Sequence, residues 1–130
     1  MKRFEWKVHG GMYDICQPRD LDDAVTMLRN NNLFFSLIRS NGELSVVCET
    51  GLIRNLKNAY PEWKLYELTA KTHPGQIGVV SAVTSLLNKY GINVVPLGNY
   101  DTDFMLVHSS QFDEANDALK ESGHVIRNAS

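Results

Sequence analysis

The chain has 130 residues, with 13 basic and 15 acidic side chains and a net charge of -2. This length fits one domain or two very small intertwined ones. Because the charges nearly balance and the basic residues are scattered, neither nucleic acid nor an anionic membrane is expected as a partner. No apolar run reaches the roughly 20 residues of a membrane-spanning helix, and residues 1–7 lack the apolar middle of a signal peptide. We therefore expect a cytoplasmic protein.

The first half of the chain is predicted to consist mostly of strands. Leu21–Leu28 has the apolar spacing of a helix, with Asp20 as a plausible N-cap. The dipeptide Asn41-Gly42 is a strong hairpin signal, and residues 52–56 form a helical turn at most before Pro61. Strands are expected at residues 4–9, 13–16, 33–39, 43–48 and 63–68, the first two of them joined by a tight turn.

The second half is predicted to contain two amphipathic helices. One runs from Gly75 or Gln76 to Tyr90, carries an apolar stripe on one side and stops at Gly91. The other covers residues 111–122. Strands are expected at residues 92–97, 104–107 and 124–126, and Pro96 indicates an edge or a bulge in the first of these.

Both halves therefore follow the order strand, helix, strand, strand, helix, strand. A divergent internal duplication explains this order, and the Asn41-Gly42 hairpin then corresponds to the turn at residues 98–103. The predicted fold is α+β, with two ferredoxin-like βαββαβ units that have antiparallel sheets and helices on one face. Their boundaries are predicted at residues 1–70 and 71–130.

Catalysis and metal binding have little support in the sequence. Cys16 and Cys48 lie in apolar strand-like surroundings and are expected to be buried, reduced packing residues. The histidines are too widely spaced to suggest a zinc site. The chain has no Gly-x-Ser-x-Gly elbow and no phosphate-binding loop with a Lys and Ser or Thr ending. We expect no enzyme activity, no metal and no cofactor.

The segment after His73 resembles an ACT domain, the small ligand-sensing module of amino-acid metabolism. It is most similar to the ACT pairs of the aspartokinase type and of the CASTOR-like arginine sensors. A weaker match covers residues 34–39 and 43–48. The residues that carry the resemblance are Gly75–Val80, Gly91–Val95, Asn99–Val107 and Ala118–His124.

The candidate site combines a helix start with a facing turn. Unpaired N–H groups at the helix start can receive a carboxylate, and the turn supplies acceptors for an amino group. Asp101 and Asp103 could instead only shape their turn, and Gly75 and Gly78 could only permit close packing. The candidate ligand-binding residues are Gln76, Ile77, Gly78, Asn99, Asp101 and Asp103.

The expected function is regulatory. The chain would bind an amino acid or a similar small zwitterion at the seam between two ACT units, form a homodimer through its open sheet edges, and act on a regulated enzyme. The alternative is a structural or protein-interaction module with side chains filling the pocket and no small-molecule ligand.

Overall fold

A computed structural model describes residues 3–30, 33–70 and 78–128 of the chain. Eight strands, three α-helices and one turn of 3-10 helix at Ser109–Gln111 lie in these ranges, which confirms the mixed α+β class. No helix in them is long and apolar enough to cross a membrane. In chain order the elements are β1 (Glu5–Val8), β2 (Tyr13–Pro18), α1 (Leu21–Arg29), β3 (Phe35–Ser40), β4 (Glu43–Glu49), β5 (Leu56–Leu68), α2 (Val79–Lys89), β6 (Val94–Gly98), β7 (Asp103–His108), α3 (Phe112–Glu121) and β8 (Val125–Asn128).

The chain forms two compact units. The N-terminal unit is Gly11–Trp63, and the C-terminal unit combines Met1–Gly10 with Lys64–Ser130. Strand β5 passes through the boundary, so its first part belongs to one unit and its last part to the other. The division into domains at residues 1–70 and 71–130 stays a prediction.

The N-terminal unit is a four-stranded sheet with one helix. Its strands lie in the order β3-β4-β2-β5, and each neighbouring pair is antiparallel. Helix α1 begins as predicted, because the Asp20 carboxylate accepts the N–H of Asp23 at 3.3 Å. It contributes Ala24 and Leu28 to a core with Val46 and both cysteines, so the predicted burial of Cys16 and Cys48 is confirmed.

The second helix expected in this unit is not found among its described residues, because β5 is longer than predicted. Tyr13 pairs with Trp63 and Ile15 with Tyr60, so β5 carries one extra residue between these pairs. Such a bulge accommodates Pro61, which has no N–H to give to the sheet. Only residues 50–55 remain between β4 and β5, too few for a helical crossover.

The C-terminal unit contains the predicted strand, helix, strand, strand, helix, strand order, from β5 to β8, together with β1. Strand β7 pairs with β5 and with β6. Strand β1 lies between β5, to which it is antiparallel, and β8, to which it is parallel. Strand β1 takes both of its described partners from residues far along the chain, so the predicted tight turn after β1 leads into β2 without pairing the two strands.

Helices α2 and α3 cover one face of this sheet and pack against each other. The buried residues between helices and strands include Trp6, Tyr66, Leu87 and Leu119. The Tyr66 hydroxyl donates to the side-chain oxygen of Asn116 on α3, which satisfies a polar group that would otherwise be buried without a partner. Burial of the phenol raises the pKa of Tyr66.

Candidate functional site

The predicted helix start lies partly in the described chain. Gln76 and Ile77 are outside the described residues, whereas Gly78 is the N-cap of α2 and is exposed. Because the described helix begins at Val79, the N–H groups without an acceptor inside the helix are those of its first turn, from Val79 onward. Such groups favour an anion such as a carboxylate. The first turn of α2 carries no acidic side chain that would compete for them.

The turn predicted at residues 98–103 is closed by hydrogen bonds among residues 99–102. The N–H of Asn99 donates to the carbonyl oxygen of Thr102 at 2.9 Å, and the N–H of Tyr100 donates to Oδ1 of Asn99 at 2.8 Å. The Thr102 hydroxyl donates to Oδ1 of Asp101 at 3.2 Å. Asn99 and Asp101 therefore both form hydrogen bonds within the turn, and for Asp101 this is the arrangement that the alternative interpretation expects.

Asp103 differs from the other two candidates because it belongs to a strand. It is the first residue of β7, pairs with Gly98 across the hairpin and is half-buried. Its backbone position is therefore set by the sheet and not by the turn.

The helix start and the turn lie at the same end of the C-terminal unit. Helix α2 ends in a reversal in which the N–H of Ile92 donates to the carbonyl oxygen of Leu87 at 3.1 Å. Strand β6 then runs back along α2 and packs against it. Eleven helical residues rise about 16 Å, and five strand residues span about 17 Å. The end of β6 therefore returns to the level of Gly78, and the turn follows there.

The N-terminal unit contains a cleft at the position that corresponds to the start of α2 and the β6–β7 turn in the C-terminal unit. Its volume is about 480 Å³, and it lies where β2 leads into α1 and where the β3–β4 hairpin turns. None of its lining residues is among the ligand-binding residues predicted from the sequence. The hairpin correspondence between Asn41-Gly42 and residues 98–103 is the signal that could have located it. The lining residues are Gln17, Pro18, Arg19, Leu21, Arg39, Gly42, Glu43, Leu44 and Lys57.

Metal ligands are not gathered in the described part of the chain. Within residues 3–30, 33–70 and 78–128, no group of three or more His, Cys, Asp or Glu side chains is placed to hold a metal ion. His9, directly after β1, and Glu67 on β5 form a pair at 2.8 Å. One such pair supplies two ligands, fewer than the three or four protein ligands of a typical zinc site.

No family model matches the sequence, and no curated protein matches it. Among solved structures, a structural genomics protein from Agobacterium tumefaciens is 25% identical with a TM-score of 0.85, over 100% of this chain and 96% of that chain. A Vibrio cholerae protein of unknown function, a possible transport protein, is 21% identical with a TM-score of 0.71, over 91% of this chain and 88% of that chain.

Parts of aspartate kinases share the fold as well. Aspartokinase III from E. coli, in complex with aspartate and ADP, is 11% identical with a TM-score of 0.64, over 91% of this chain and 33% of that chain. The regulatory subunit from Thermus thermophilus and a C-terminal regulatory domain from Porphyromonas gingivalis also match. The chain therefore has the ACT-like fold of aspartate kinase regulatory domains.

Proposed function

We propose that this protein is a regulatory, amino-acid-binding protein of the ACT type. The ligand lies at the end of the C-terminal unit where the start of α2 and the turn at residues 99–102 meet. The observation that supports this placement is the cleft of about 480 Å³ in the N-terminal unit, which lies at the corresponding junction of strand, helix and hairpin. A small ligand fits a volume in this range.

The chemistry of the C-terminal site suits a zwitterion. The first-turn amides of α2 offer N–H groups and the positive end of the helix dipole to a carboxylate. Asp103, at the start of β7, offers a carboxylate to an ammonium group. The two ends of one free amino acid can thus be held by the two elements at this end of the unit.

The finer features of the proposal follow from the ACT resemblance. The two units act as a tandem ACT pair, a second copy of the chain joins through sheet edges, and the regulated target is a separate enzyme. Gln76 and Ile77, which lie outside the described residues, belong to the proposed site on the same ground. The protein itself carries out no reaction in this account.

The experiment is a thermal melt of the whole chain with each of the twenty amino acids in turn. A ligand at a hundred times its dissociation constant stabilises the folded state by about 2.7 kcal/mol. We expect one amino acid, or a chemically related group, to raise the melting temperature in a saturable way. If all twenty leave it unchanged, the alternative of a structural or protein-interaction module is favoured.

A further inference from the structure

The cleft of the N-terminal unit has a charge pattern of its own. Arg19 lies between β2 and α1, Arg39 is in β3 next to the hairpin, and Lys57 is near the start of β5. Glu43 is the one acidic residue among the lining residues. Three positive charges and one negative charge give the cleft a local charge of +2, whereas the whole chain carries -2.

Within the described part of the chain, these three cations have no anionic partner. In the described ranges, the side chains of Arg19, Arg39 and Lys57 form no ion pair and no hydrogen bond. Like charges that line one space repel each other, and a bound anion relieves this repulsion. Guanidinium groups in particular match carboxylate and phosphate oxygens through paired N–H donors.

The backbone holds the three cations in place around the cleft. The N–H of Arg19 donates to the carbonyl oxygen of Asn55 at 3.0 Å, and Arg39 pairs with Leu44 across the hairpin. Lys57 precedes Asn58, whose amide donates to Gln17 at 2.8 Å. The charges therefore project from positions that the sheet and its connections fix.

The uncharged lining residues favour a ligand with a carbon skeleton. Pro18, Leu21 and Leu44 contribute apolar surface, and Gln17 contributes an amide. An inorganic ion alone would leave this apolar surface in contact with water. An anion with a short carbon skeleton would cover it.

We propose that the cleft is a second ligand site, distinct from the amino-acid site of the C-terminal unit, and that it binds a small organic anion with two negative charges. A dicarboxylate and a phosphate monoester both carry these two negative charges. Arg19 and Arg39 bind the charged groups, Lys57 adds to the positive field, and Glu43 weakens binding by repulsion.

The test is isothermal titration of the whole chain with succinate and, separately, with glycerol 3-phosphate, at constant ionic strength. Arg19→Gln and Arg39→Gln are each expected to weaken binding about tenfold or more. Glu43→Gln is expected to strengthen it, because it removes the repelling charge. Arg54→Gln is the matched control, since it removes the same charge from an exposed position of the same unit outside the cleft. The probe that binds more tightly shows whether the site prefers carboxylates or a phosphate.

Two results would overturn this proposal. One is that neither probe binds the folded chain. The other is that Arg54→Gln weakens binding as much as Arg39→Gln, which would show a general charge effect and no site. Because these variants lie in the N-terminal unit, the amino-acid response of the thermal melt is independent of them, and the two proposals can fail separately.

Discussion

His124 and Phe4 are in direct contact although 120 positions separate them in the sequence. The backbone N–H of Phe4 donates to Nδ1 of His124 at 3.0 Å, and the two rings are stacked with their centroids 5.7 Å apart. His124 is only 3% exposed. This contact connects the residue before β1 with the loop between α3 and β8, and so holds two sequence-distant parts of the C-terminal unit together.

The first prediction concerns the pH dependence of stability. Burial lowers the pKa of His124 below its ordinary value of 6.5. Between the lowered value and about pH 6.5 the unfolded chain therefore binds a proton that the folded chain does not. The stability that the neutral, buried side chain of His124 contributes is fully present above about pH 6.5 and is lost as the pH falls toward the lowered pKa. Urea unfolding on both sides of this window should show the loss, and His124→Phe should reduce it. An equal pH dependence in both proteins would contradict this account.

The second prediction concerns Gly78. Its φ is +97°, a backbone conformation that residues other than glycine rarely adopt. A Cβ at this position would meet no described atom within 4 Å. The backbone conformation therefore favours glycine whatever space lies around it. Gly78→Ala should lower the free energy of unfolding by about 1–2 kcal/mol, measured by denaturant unfolding. Gly98→Ala is the control, since its Cβ would also meet nothing within 4 Å and its φ is not positive. An equal effect of the two changes would refute the backbone explanation.

The sequence predicts local structure in this protein better than it predicts long-range pairing. Asn41 and Gly42 have φ values of 52° and 78°, the conformation that the dipeptide favours in a tight hairpin. Pro96 lies in β6, whose described partner is β7 alone, so the predicted edge position is confirmed. These features depend on a few neighbouring residues, and the sequence displays them directly.

The features that were missed depend on residues distant in the sequence. Strand β1 pairs with β5 and β8, and no local pattern shows this. Pro61 is interpreted from the sequence as the end of an element. In the structure it lies within β5, because a bulge accommodates it, and this bulge depends on the pairing with the partner strand. The cationic cleft was missed for the same reason, since Arg19, Arg39 and Lys57 come together only through the sheet. The candidate residues Gly78, Asn99, Asp101 and Asp103 do lie at one end of a unit, and their binding role stays a prediction.

The third prediction concerns assembly. Strand β3 is at the edge of the sheet of the N-terminal unit, and Ile38 on it is 57% exposed. An exposed apolar edge strand invites pairing with another chain. We expect light scattering to give the mass of a dimer and Ile38→Glu to shift it toward the monomer. Val25→Glu, a matched change on the exposed side of α1, should leave the mass unchanged. A monomeric parent protein would rule out the homodimer.

The fourth prediction concerns Asp103. Removing a charge-assisted hydrogen bond to an ammonium group costs roughly 1.5–3 kcal/mol of binding free energy. Asp103→Ala should therefore weaken binding of the amino acid that stabilises the protein in the thermal melt, while unfolding stays cooperative. Asp117→Ala removes the same charge from an exposed position on α3 and serves as the control. Unchanged affinity with a lowered melting temperature would assign Asp103 to the hairpin alone.

The most direct test of the central claim is an amide NMR titration of the whole chain with the amino acid identified in the thermal melt. If the ligand lies at the end of the C-terminal unit, the amide signals of Gly78, of the first turn of α2 and of residues 99–103 should shift together and saturate at one dissociation constant. If no amino acid among the twenty shifts these signals, or if the saturable shifts fall only in other parts of the chain, the proposed amino-acid site is wrong.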